Sequence, residues 1–183
     1  MSGVLSGLEI VEKGIVQPPQ DLGWSKDQIQ PHGVDLRVGK IYFPSSKPFG
    51  EKIEDSEYEE VPSVKGEYVL PQGAYVARIL EVIDLTRVGS DPLDLGKSQV
   101  VGYGYSGAVK GRSSLLRRGV FIESSWWDFG YRGSGMVGIL VANPNGIILH
   151  HGDRFCQIYI FPADGIAKPY RGQFQGEGLC QPR

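Results

Sequence analysis

The chain has 183 residues, enough for one domain with a real hydrophobic core. Its 26 glycines, about twice the usual ~7% share, and 12 prolines exclude a mainly helical protein and predict many short strands joined by turns. A formal net charge of −2 excludes a general nucleic-acid binder, so attraction for any polyanion must come from locally gathered arginines.

Val4 to Lys13 carries apolar Leu5, Leu8, Ile10 and Val11 ahead of Gly14, which predicts one short amphipathic helix. An extended segment to Gln20 and a loop from Asp21 to Asp27 follow, with Trp24 as a packing residue. In Val34-Asp35-Leu36-Arg37-Val38 apolar and charged residues alternate, as in a strand with one apolar and one polar face. Two readings of Asp35 stay open: a solvent-facing salt bridge on an edge strand, or contact with a cation or a ligand hydroxyl. Pro44 to Glu60 is acidic and turn-rich, a solvated excursion to which no chemistry is assigned. Tyr68 to Ile83 returns to strand around a Pro71-Gln72-Gly73 turn, and Asp84 to Gln99 is a second polar insertion. Val100 to Lys110, rich in glycine and tyrosine, reads as a strand or a flexible flap.

The stretch from Gly111 to Gly133 organises the rest. It opens on a glycine turn carrying Arg112, Ser113 and Ser114, the donor set that suits a polyphosphate. It then crosses an apolar, β-prone segment and ends on Asp128, an acid flanked by Gly130 and Gly133. Such an acid either caps local amides or acts as a base, and a phosphate grip one strand away suits a phosphoester hydrolase. Trp126 and Trp127 read as packing or interface residues.

Met136 to Ala142 is a nearly continuous apolar run, which predicts a strand buried on both faces. Asn143-Pro144-Asn145-Gly146 predicts a hairpin turn, and His150-His151-Gly152-Asp153 a turn rather than a metal site. After the Phe155–Phe161 strand, residues 162–183 form a flexible tail, ordered by whatever it covers. The two cysteines, Cys156 and Cys180, are too few for a disulfide framework or a zinc site. No signal peptide or membrane-length apolar run stands out, so a cytoplasmic protein without membrane partners is expected. The expectation is a single all-β domain over 1–183, barrel or jelly-roll-like, with one short N-terminal helix.

Several segments, in one order, resemble the dUTPase / dCTP deaminase superfamily. They are Gln30-Pro31-His32-Gly33-Val34-Asp35-Leu36-Arg37, Gly111-Arg112-Ser113-Ser114-Leu115, Trp127-Asp128-Phe129-Gly130-Tyr131-Arg132-Gly133, Gly152-Asp153-Arg154-Phe155-Cys156-Gln157 and Tyr170-Arg171-Gly172-Gln173-Phe174-Gln175-Gly176. The opening and the tail look like the deaminase branch; Asp-x-x-Tyr-Arg-Gly and Gly-Asp-Arg-x-x-Gln look like dUTPases. The resemblance implies a distorted β-barrel and a homotrimer with active sites shared between subunits. It implies that Asp128 is the general base for the water attacking the α-phosphorus of deoxyuridine triphosphate. Arg112, Ser113, Ser114 and Gln157 resemble phosphate-side donors, and Arg117 falls where the deaminase branch keeps an arginine. Tyr131 resembles the aromatic that packs on deoxyribose and leaves no room for a 2′-hydroxyl. Asp35 resembles the residue that helps place Mg2+ on the phosphates, through water. In the tail, Tyr170 belongs to the matching segment, Phe174 is placed to stack on base or sugar, and Gln175 to reach the triphosphate.

The deaminases carry a carboxylate in the strand after the Asp128 turn, to move protons between water and the cytosine amine. Counting forward from Asp128 puts Gly138 at that position, and no acid lies nearby in Met136–Ala142. Without that proton carrier, deamination would lose about 10²–10⁴-fold. The sequence therefore favours hydrolysis of dUTP to dUMP and diphosphate over deamination or a bifunctional enzyme. A non-catalytic nucleotide-binding regulator ranks third, because binding alone needs no base.

Overall fold

The structure is a computed structural model that describes residues 3–88, 91–92 and 100–179. Residues 89–90 and 93–99 of the second polar insertion lie outside these residues, as does the end of the tail. The chain opens with helix α1 (Gly7–Glu12), capped by a reciprocal Ser6–Glu9 box, then β1 (Val16–Gln17) and β2 (Val34–Tyr42). Next come β3 (Glu67–Leu70), β4 (Gly73–Ile79), β5 (Val82–Asp84), β6 (Arg87–Val88) and β7 (Asp91–Pro92). The second half holds β8 (Val100–Gly111), the one-turn helix α2 (Ser113–Leu116), β9 (Val120–Glu123) and β10 (Arg132–Gly133). It ends with β11 (Met136–Val141), β12 (Ile147–His150) and β13 (Arg154–Ala167).

Six strands close into a barrel in the order β11-β4-β2-β13-β8-β9. Closure gives each of these strands a partner on both sides, although β8 and β13 run on past the barrel as a two-stranded arm. The period-2 alternation does the work: Tyr75, Ala77 and Ile79 of β4, Val120 and Ile122 of β9, and Val137, Ile139 and Val141 of β11 are all buried. They join Leu36, Ile41, Phe155 and Ile158 in one core. The all-β barrel expectation holds, and Val100–Lys110 resolves as strand.

Gly104 shows how tightly the barrel wall meets the site. A Cβ there would stand 2.2 Å from Phe129 Cε2, so only glycine lets that ring lie against β8. Gly104→Ala is expected to cost about 1–3 kcal/mol by forcing the ring outward. Urea unfolding would check it.

Four local expectations are corrected. β2 is no edge strand: it pairs with β13 on one side and β4 on the other, and Asp35 and Arg37 are both buried. Its polar face is covered by the 23–28 loop, through Arg37 Nη2 to Gly23 O and Gln28 Nε2 to Asp35 O. β11 is buried on one face only, since Leu140 points outward opposite exposed Phe121. The Asn143–Gly146 turn forms, with Gly146 N on Asn143 O at 2.9 Å, but β12 leaves the barrel to pair with β3, so no hairpin results. Finally, β13 does not stop at Phe161. Pro162 has no N–H to give, yet β8 runs opposite and carries the ladder on to Ala167.

Candidate active site

Asp128 is presented by a turn whose alternate residues face inward. Trp127, Phe129 and Tyr131 are buried, which throws Asp128 into solvent between them. The turn is tied down at both ends. Trp127 and Gly107 exchange backbone bonds of 2.8 and 2.9 Å; Gly130 N donates to Leu85 O and Leu85 N to Tyr131 O. Arg132 Nε lies 3.4 Å from Asp84 Oδ2, which fixes the arginine of Tyr-Arg-Gly against β5.

Asp128 lines a cavity of about 360 Å³ together with Tyr58, Ser125, Trp126, Trp127, Tyr131, Met136, Tyr170, Phe174 and Glu177. The walls are aromatic. Tyr131 sits 5.7 Å from Trp127 and edge-on to Tyr170 at 5.9 Å, and exposed Trp126 stacks on Phe161. Burial, then the Glu177 charge beside it, pushes the Tyr131 phenol far above its ordinary range, so it stays neutral and keeps a proton to donate.

The tail docks on the turn that carries Asp128. Tyr170 N donates to Phe129 O at 2.7 Å, Gly176 N to Arg132 O and Ser134 N to Glu177 O. Gly130, at φ +88°, makes room for it: a Cβ there would lie 2.6 Å from Pro169 Cβ. Gln175, expected to reach the triphosphate, here has its carboxamide on backbone, donating to Gly130 O and accepting from Arg132 N.

Of the residues expected on the phosphate side, Arg112 and Ser114 stand elsewhere. A second cavity of about 380 Å³ is lined by Arg112, Ser114, Leu115, Arg118, Ile147, Ile148, Leu149, Asp153 and Arg154. Ser113 and Ser114 are exposed on α2, and Arg118 donates to Ser114 O at 2.7 Å. Arg117 is exposed but does not line this cavity, where Arg118 stands instead. Gln157 is also engaged, donating to His32 O at 2.6 Å and accepting from the Tyr159 hydroxyl. The two cavities share no lining residue.

Asp35 lies beneath this second cavity. Its Oδ2 stands 3.2 Å from Arg112 Nε and 3.4 Å from Arg154 Nη1, with the side chain 3% exposed. Burial raises its carboxyl above the ordinary 3.8, against the pull of Arg112 and then Arg154. A carboxylate held between two guanidinium groups fits the aiming of those cations, not direct ligation of magnesium. Among the described residues no His, Cys, Asp and Glu side chains cluster as a metal site.

Sequence reading missed three participants. Tyr58 comes from the acidic excursion, and Glu177 reaches back from the tail to Tyr131. Glu81, wholly buried, accepts from Arg37 Nε at 2.7 Å and from Gln28 Nε2 at 2.7 Å, while Ser134 Oγ bonds its backbone carbonyl. Only Glu177 carried a usable signal, an acid two residues after the tail's Phe174-Gln175.

Comparison with known proteins bears on this geometry. A family model described as dCTP deaminase-like matches residues 97–163. A protein of Aeropyrum pernix, named as a probable deoxyuridine 5′-triphosphate nucleotidohydrolase, is 36% identical over 96% of this chain and 99% of its own. A dCTP deaminase of Pyrococcus furiosus is 30% identical over 84% of this chain and 82% of its own. The chain belongs to the dUTPase / dCTP deaminase superfamily, a family of nucleotide-metabolising enzymes. The crystal structure of 2′-deoxycytidine 5′-triphosphate deaminase from Agrobacterium tumefaciens shares the fold, with a TM-score of 0.59 at 19% identity. That match covers 87% of this chain and 49% of the longer one.

Proposed function

We propose that the chain is a dUTP diphosphohydrolase that releases dUMP and diphosphate. The observation that carries this reading is a pair. Asp128 is an exposed carboxylate in an aromatic cavity, whereas Gly138, where a deaminase would keep its proton carrier, has no side chain. A Cβ at Gly138 would meet only Glu123 O at 3.7 Å, so the glycine is not forced by crowding. Asp128 takes a proton from water as its oxygen bonds the α-phosphorus. The bond to the α,β-bridging oxygen breaks, and diphosphate leaves with the electron pair. Arg112 and Arg154, aimed by Asp35, offset charge on the phosphates, and the Ser114 hydroxyl adds a donor. Tyr131, as a neutral phenol, forms the wall beneath the sugar. Magnesium belongs to this reading as the ion a triphosphate brings with it.

A second reading, dCTP deamination alone or joined to hydrolysis, draws on the relatives named dCTP deaminase and on Glu177, the other acid at the cavity wall. Product analysis separates them. dUMP and diphosphate from dUTP, with dCTP untouched, supports hydrolysis; ammonia from dCTP supports the second reading; binding without turnover of either leaves a regulator.

The separation of the two cavities supports a homotrimer in which one subunit's Asp128 faces a neighbour's Arg112. Asp128→Asn and Arg112→Ala chains, each inactive alone, are then expected to recover about a quarter of wild-type activity when refolded together in equal amounts. No recovery in the mixture would place both residues in one subunit's site.

A further inference from the structure

Glu177 joins the cavity through backbone and side chain at once. Its carbonyl accepts the Ser134 N–H at 2.9 Å, and its Oε1 accepts the Tyr131 phenol at 3.0 Å across 46 residues of chain. Its Oε2 stands 3.9 Å from Arg78 Nη1, which itself donates to Ser134 O at 2.7 Å. Both charged side chains are nearly buried, at 13% and 14% exposure, so screening by water is weak. The ring held by this carboxylate is the one wedged between Trp127 and Tyr170.

A phenol at 4% residue exposure that lost its acceptor would keep a desolvated hydroxyl and a choice of ring positions. The acceptor is delivered by the tail. Docking of the tail and orientation of the cavity wall are therefore one event, with Arg78 balancing the charge that arrives.

We propose that Glu177 is a positioning residue, whose carboxylate locks the Tyr131 ring as the tail docks and so sets how strictly the cavity rejects a ribose 2′-hydroxyl. The contacts stand by themselves; the sugar preference rests on the dUTPase reading. A wall fixed by one charge-assisted bond discriminates by lack of room, and a wall free to yield by a few tenths of an ångström discriminates less.

Hydrogen exchange on the full-length protein tests the coupling without any turnover, and kinetics tests the specificity. In Glu177→Ala, amides in both the tail and the 128–135 turn are expected to exchange faster than in wild type. The kcat/KM for dUTP should fall about 10- to 100-fold, and the preference for dUTP over UTP about tenfold. Glu177→Gln, which keeps an acceptor for the phenol, should restore most of the preference. Faster exchange in the tail with an unchanged turn would overturn the coupling. A loosened turn with an unchanged dUTP-to-UTP ratio would overturn the specificity role. Ammonia release from dCTP that vanishes in Glu177→Gln would instead make Glu177 a proton carrier and end the positioning assignment. If neither nucleotide is turned over, the dUTPase reading fails while the exchange result still decides the coupling.

Discussion

Asp128→Asn is expected to lower dUTP turnover by about 10²–10⁴-fold while leaving dUTP binding almost unchanged. The amide is the same size and keeps the turn's geometry, because that turn is tied by its own backbone, including Tyr131 N to Asp128 O at 3.1 Å, and by neighbouring side chains such as Gln175 and Asp84. What it loses is basicity, since an amide oxygen accepts a hydrogen bond from water but does not take its proton. In the proposed reading, binding rests on other groups: the aromatic walls around Tyr131 and Trp126, and the Arg112–Arg154 pair raised on Asp35. A loss shared equally between kcat and kcat/KM would mark an interaction made in the transition state. A rise in KM with kcat intact would reduce Asp128 to a binding residue.

Glu81→Gln is expected to cost about 3–5 kcal/mol in unfolding free energy, the largest stability effect anticipated for a single exchange here. Glu81 and Arg37 have side chains 0% and 6% exposed and meet at 2.7 Å. The amide leaves a buried guanidinium without its counter-charge, and the backbone N–H of Arg37, which donates to Glu81 Oε2 at 2.8 Å, meets a weaker acceptor. Replacing both partners, as in Arg37→Met with Glu81→Leu, should recover most of the loss, since the desolvation cost of both ions disappears. Urea titrations of the two variants beside wild type would show it. A single exchange costing under about 1 kcal/mol would mean that water reaches the pair.

Much of this was legible in the sequence because it is local. Alternation in Tyr75–Ile79 and Val120–Glu123 marks strands whose buried side needs no knowledge of the partner. The Asp128 turn announces itself by its glycines. Less legible was anything decided across the barrel. Asp35 and Arg37 alternate with valines and leucine, as they would on a half-exposed edge, and nothing nearby says that arginines from β13 and the α2 cap, and Glu81 from beyond β4, cover that face. Leu140 and Phe121 look like core because they are apolar, but they face each other on the barrel's outer side. Glu177 and Tyr131 meet across a separation that no periodicity spans.

Hydrolysis of dUTP in ¹⁸O-enriched water, with products resolved by mass, probes the proposed chemistry at the bond itself. If water prepared by Asp128 attacks the α-phosphorus, the label enters dUMP and none enters diphosphate. Label in diphosphate, or conversion of dCTP with release of ammonia and no labelled dUMP from dUTP, would contradict the account.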